Sequence, residues 1–191
     1  TIRRQRQMCI RDRFRAAMRA AELTVVIDVV HTETTEQADW ILPASSQYEK
    51  AEATFFSANF PANTFHLRQA ILEPLEGTLT EPEIHSRLVQ ASGVLDGVDF
   101  EPLREAAEQG LDAFAEAFMA AAMENPAISA YGAVVLYETL GKSLPAGKEG
   151  AAVLWFSCQM AAQKYPDQIR AAGHQGDCLL YTSPSPRDIG E

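Results

Sequence analysis

Cysteine is scarce in this chain. There are three in 191 residues, and two of them, Cys9 and Cys178, sit in terminal stretches that read as foreign. The third, Cys158, cannot by itself build a disulfide framework or hold an iron–sulfur cluster. Positive charge is scarce as well: 16 Lys plus Arg face 26 Asp plus Glu, a net charge of −10. That balance argues against a nucleic-acid or anionic-membrane surface, both of which need cationic stripes. A single anionic ligand held by local cations and backbone amides stays open. Long apolar runs are missing. "AAVLWF" (151–156) is among the longest, far short of the roughly 20 residues that span a bilayer, so no membrane span is expected. The four histidines, at 31, 66, 85 and 174, form no i, i+4 pair and have no cysteine partner, so no metal site is expected. "GTLTEPE" and "GKEG" match no glycine-rich phosphate loop. Ser45 and Ser46 lack the flanking glycines of a hydrolase nucleophile elbow.

The two ends depart from the rest. "RRQRQMCIRDR" (3–13) is a cationic burst, and "CLLYTSPSPRD" (178–188) fits no element before it. Met8–Arg13 can be encoded ATG-TGT-ATA-AGA-GAC-AG, whose reverse complement reads Cys-Leu-Leu-Tyr-Thr, the residues at 178–182. Peptide ends encodable as reverse complements indicate an inverted DNA repeat, and both resemble translated sequencing-library adapters. Residues 1–13 and 178–191 are therefore expected to be adapter-derived and not native to the fold. Under that reading residues 14–177 are an internal fragment, with 10 Lys plus Arg against 23 Asp plus Glu, a net charge of −13.

The expected fold class is α/β: part of a doubly wound parallel sheet over 14–95, then an α-helical segment over 96–177. Phe14 to Glu22 has the alanine-rich spacing of a helix end. "LTVVIDVV" (23–30) is a short β-branched run that predicts a strand buried on both faces. Thr32 or Thr34 can cap a brief helix, and Thr34 with Gln37 matches a capping box. "ADWILPA" (38–44) reads as the next strand, ended by Pro43. Strand, short helix and strand make a compressed βαβ step. Residues 45–75 read as an aromatic, functional loop or insertion, and 83–92 as a helix. Phe100, Leu103, Ala107, Leu111, Phe114, Phe118 and Ala122 predict one long amphipathic helix, its stripe a helix–helix core. Further helices are expected over 127–141 and 144–166.

The polar elbow between the two strands carries the chemical signal. In open α/β sheets, ligands sit beyond the carboxyl ends of parallel strands. Asp28 falls there, with Thr32 and Thr34 close behind. A carboxylate so placed can accept from the N1–H and N2–H₂ of a guanine. Lys50, just past the second strand, can serve the same crevice as a phosphate cation. On spacing alone, Asp28 equally caps a turn and Lys50 is equally a solvated side chain. Cys158, mid-helix between apolar residues, reads as an inert thiol.

"VVIDVVHTETTEQADWILPASSQYEKAEATFFS" (25–57) resembles a signature of prokaryotic molybdopterin oxidoreductases, the DMSO reductase superfamily, which includes formate dehydrogenases and nitrate reductases. The family pattern is an apolar strand closed by Asp, a T-x-T, an A-D-x-x-L-P strand, then E-K or E-x. Here these are Asp28, Thr32 with Thr34, Ala38-Asp39 with Leu42-Pro43, and Glu49-Lys50. The resemblance extends over 23–93. "EATFFS" departs from the usual E-G-x-x-x-N, and "EPEI" stands where D-W-E-I is commoner.

The resemblance implies a segment of an α/β domain gripping a bis(molybdopterin guanine dinucleotide) cofactor carrying molybdenum or tungsten. Ile27, Asp28 and Thr32 would line the guanine pocket. Lys50 would lie near the dinucleotide's polar part, and Glu81 where the family places a cofactor-touching acid. The parent enzyme would act on a small-molecule redox substrate in the cytoplasm or periplasm, with electron-transfer subunits and a 4Fe–4S cluster upstream among its expected attributes. No catalytic residue is assigned. Two other readings stay open: an electron-transfer subunit like the large iron–sulfur subunit of respiratory complex I, and a helical interaction domain.

Overall fold

A computed structural model describes the backbone of residues 2–54, 58–59, 62–63 and 66–171, and the side chains of 11–52 and 68–171. The adapter-like residues 178–191 lie outside the described residues. The chain is mixed α/β and divides into two compact units, Thr1–Ile84 and His85–Glu191.

The first unit opens with α1 (Ile2–Ala20). Thr24 closes the turn that follows, its hydroxyl donating to the Met18 carbonyl at 3.0 Å. β1 (Val25–Asp28) and β2 (Trp40–Pro43) then pair in parallel, with Val25 opposite Trp40 and Asp28 opposite Pro43. Val25, Val26 and Ile27 favour extended backbone because their branched Cβ atoms crowd a helix but fit a pleat. Pro43 is the last residue of β2. Its carbonyl still accepts from the Leu79 N–H at 3.2 Å, and Leu79 in turn accepts from the Ser45 N–H at 2.8 Å. This one parallel bridge, Ala44 to Leu79, ties the end of β2 to the segment before α2 (Glu81–Ala91).

Three expectations for this unit need correction. The strands are not buried on both faces: Val25 is 43 % exposed and Trp40 67 %, because two strands alone offer few neighbours to cover either face. Thr34 makes no side-chain cap, and the connecting helix is a single 3₁₀ turn, Thr35–Gln37. The loop expected over 45–75 contains β3 (Glu52–Thr54) paired antiparallel with β6 (His66–Arg68), and the short pair β4 (Ala58–Asn59) with β5 (Ala62–Asn63).

In the second unit the long helix expected over 100–122 is two helices, α3 (Glu101–Gln109) and α4 (Leu111–Glu124). Gly110 separates them at φ 134°, a conformation open to glycine and strained for other residues. The predicted stripe nevertheless forms the core: Leu103, Ala107, Phe114 and Phe118 are buried, with Phe100, Leu111 and Ala122 packed against them. Asn125 caps the next helix, accepting from the Ala127 N–H at 2.9 Å. That region is again divided, into α5 (Pro126–Ala130) and α6 (Gly132–Glu138). α7 (Ala151–Lys164) starts later than the expected residue 144, and Pro166 opens α8 (Pro166–Ala171), where its missing N–H costs nothing. Phe114 lies 5.9 Å from Phe118 and 6.1 Å from Trp155 between ring centroids, and Phe118 meets Phe156 edge-on at 4.9 Å. Among the described residues no helix is long and apolar enough to cross a membrane.

Candidate functional site

Asp28 stands at the carboxyl end of β1, half-buried, and its own carbonyl accepts from the Ala44 N–H at 3.0 Å. Its carboxylate is held locally. Oδ1 accepts from the Val29 N–H at 2.8 Å, and Oδ2 accepts from the Thr32 hydroxyl at 3.4 Å. Each oxygen thus accepts one hydrogen bond, while a carboxylate offers about four acceptor sites in all. The group therefore caps the elbow and still has unfilled acceptor sites, so the two roles left open by spacing are compatible.

The elbow itself is held by threonine hydroxyls. Thr35 is buried, 1 % exposed. Its Oγ1 accepts from the Thr32 N–H and donates to the Thr32 carbonyl, both at 2.8 Å. In return the Thr35 N–H donates to Thr32 Oγ1 at 3.3 Å. Side chains of this type satisfy local backbone groups that a short connection leaves without ladder partners. Thr35 was missed by sequence reasoning, which favoured Thr34. The signal for it was the Thr-x-x-Thr spacing of 32 and 35, which puts two hydroxyls in mutual reach around one 3₁₀ turn.

Lys50 is neither solvated nor free. Its ammonium is ion-paired with Glu81 at the start of α2, the lysine side chain 9 % exposed and the glutamate 40 %. Two of the residues singled out for a ligand thus meet each other. The chain around them is equally well tied. Glu49 Oε2 accepts from the Ser46 N–H at 2.6 Å and Oε1 from the Leu75 N–H at 3.1 Å. The Ser46 backbone amide, then its hydroxyl and the Leu75 amide hold the Glu49 carboxyl below its ordinary range, against an opposing effect of burial. Buried Ser45 shares a 3.2 Å hydrogen bond with Thr78.

The Asp28 carboxylate is an acceptor of the kind that the N1–H and N2–H₂ of a guanine require, with acceptor capacity remaining at a half-buried position, and the chemistry of this site fits that group. A phosphate fits less well at Lys50, whose charge Glu81 already balances. Ile27 lies in β1 opposite Leu42, half-buried beside Asp28. Cys158 is half-buried on α7. Among the described residues no group of three or more His, Cys, Asp or Glu side chains gathers as a metal site. Compared with family models, with curated proteins and with solved structures, the chain matches none of them.

Proposed function

We propose that this chain supplies part of the guanine pocket of a molybdenum- or tungsten-dependent oxidoreductase that binds a bis(molybdopterin guanine dinucleotide) cofactor. The observation that carries this reading is the placement of Asp28. It closes a parallel strand, beside the strand that returns after a short polar elbow, within the stretch that resembles the molybdopterin signature. In this reading β1 and β2 belong to a larger doubly wound sheet, whose other elements cover the exposed faces at Val25 and Trp40.

Each side chain then has a distinct task. Asp28 accepts from N1–H and N2–H₂ of the base, and Thr32 orients the carboxylate. Ile27 lines the pocket with apolar surface. The Lys50–Glu81 pair holds the segment after β2 against the start of α2 and so fixes the pocket's outer wall. When bound, the cofactor supplies the redox chemistry of its metal, while the protein contributes binding and orientation.

Calorimetric titration of the full chain with GDP, IDP and ADP tests this directly. GDP is expected to bind about tenfold more tightly than IDP, which lacks the 2-amino donor, a difference equal to one ligand hydrogen bond to a charged acceptor. Asp28→Asn should abolish the preference. Equal affinity for GDP and ADP, or a preference that survives Asp28→Asn, would overturn the reading. The gene flanking this stretch separates a molybdenum enzyme from an electron-transfer subunit of related fold. The former requires an upstream metal-ligating Cys, selenocysteine, Ser or Asp.

A further inference from the structure

We infer that Thr35 is a positioning residue for the Asp28 carboxylate, acting through Thr32. Its nucleotide meaning rests on the guanine reading above. The hydrogen bonds run in one direction. The Thr35 N–H donates to Thr32 Oγ1, and that hydroxyl spends its proton on Asp28 Oδ2. A hydroxyl has one proton and two lone pairs, so filling a lone pair from Thr35 leaves the proton to be aimed at the carboxylate. Thr35 Oγ1 then fixes the backbone that carries this hydroxyl by engaging both the N–H and the C=O of Thr32 at 2.8 Å.

Alternative roles for Thr35 are narrow. Only 1 % of its surface is exposed, so it touches no ligand itself. The His31 Nδ1 lies 3.4 Å from the Thr35 hydroxyl oxygen. The Thr35 hydroxyl proton is taken by the Thr32 carbonyl, so the imidazole reaches Thr35 only as a donor. Both donors to the Asp28 carboxylate, the Val29 N–H and the Thr32 hydroxyl, lie within the elbow, which sets its orientation. A guanine needs both carboxylate oxygens in the base plane. A freely rotating Asp28 would present them there only part of the time, and apparent affinity falls in proportion to the competent fraction.

The test compares Thr35→Val, which keeps the shape and removes the hydroxyl, with Thr35→Ser, which keeps the hydroxyl. Three-bond NMR couplings on the full chain report the χ1 rotamer of Asp28. Asp39, whose Oδ2 accepts from the Thr24 N–H at 2.8 Å at the far end of the strand pair, is the internal control. The expected result is one Asp28 rotamer in the parent chain and in Thr35→Ser, averaging in Thr35→Val, and an unchanged Asp39 in all three. The apparent affinity for GDP should fall about three- to tenfold in Thr35→Val, in proportion to the lost competent fraction, and recover in Thr35→Ser, with the unchanged Asp39 signal showing that the strand pair stays folded. An Asp28 rotamer that stays fixed in Thr35→Val, or that averages only together with Asp39, overturns the positioning role. A parent chain that holds Asp28 fixed yet does not discriminate GDP from IDP overturns the guanine reading and leaves the positioning role standing.

Discussion

Phe114 and Trp40 are both large aromatic residues, yet Phe114 is fully buried on α4 while Trp40 is 67 % exposed at the start of β2. The contrast extends to their surroundings. Among the described residues of the helical unit, the buried set is dominated by Leu, Phe, Val, Ile and Trp. Among the described residues of the α/β unit, the buried ones are Ala44 and Ile84 together with Thr35, Ser45, Glu49 and Lys50. One unit is held mainly by apolar packing, with Ser86, Thr139 and Gln159 buried beside it. The other is held by polar groups that satisfy each other while much of its apolar surface faces out. Buried polar groups stabilise little in net terms, but they are costly to leave unpaired and they specify geometry. A region built that way is suited to aiming a side chain at a ligand, and poorly suited to carrying stability.

The sharpest way to break the comparison is to attack each unit by its own means. Phe114→Ala removes a ring packed against Phe118 and Trp155. It should cost about 3–5 kcal/mol, the usual range for emptying a large aromatic site in a tight core. Trp155 fluorescence during denaturant unfolding reads the loss, since Trp155 is the helical unit's own tryptophan. A cost below about 1 kcal/mol would mean that this core is fluid and that the two units are not built differently.

Lys50→Met is the counterpart in the α/β unit. Breaking a fully buried ion pair costs about 3–5 kcal/mol, but Glu81 is 40 % exposed, so water takes over part of the lost interaction. The expected cost is about 1–2 kcal/mol. It should be read as faster amide exchange at Ser45, which donates to the Leu79 carbonyl, and at Leu79, which donates to the Pro43 carbonyl, the two bonds that tie the end of β2. Pairing Lys50→Met with Glu81→Leu should recover most of the loss, because the penalty lies in the stranded charge. No recovery in the double variant would show that the pair is intrinsically stabilising.

Some of this was legible in the residues and some was not, for physical reasons. The β-branched run at 25–27 and the proline at 43 speak through local sterics, and they correctly marked two parallel strands with Asp28 at a carboxyl end. The apolar stripe from Phe100 to Ala122 was right as a core and wrong as one helix. A glycine inside a helical pattern costs only about 1 kcal/mol, so packing rather than local preference decided the break at Gly110. The Lys50–Glu81 pair was hidden because its members are 31 residues apart, and their segments are brought together by long-range contacts such as the Ala44–Leu79 bridge and the Glu49–Leu75 hydrogen bond. Strand burial was overestimated because a β-branched run announces a strand but says nothing about how many neighbours it has.

The smallest effect is the most specific to the polar unit. Glu49 has a folded-state pKa below its ordinary value because two backbone amides and a hydroxyl donate to its charged form. A depressed carboxylate contributes stability that is fully present above the unfolded value, about 4.5, and that is lost as pH falls through the folded value. Acidification from pH 5 towards pH 3 should therefore loosen the segment joining Ser46 to Leu75 before it loosens the helical core. Amide exchange at Ser46 and Leu75, compared with exchange at Val135 and Leu136 in α6, would display the order of events. Glu49→Gln should weaken that segment at pH 7 and flatten its pH dependence, leaving α6 untouched. If both sets of amides respond to acid together, and do so equally in Glu49→Gln, the polar anchoring is not what holds the α/β unit.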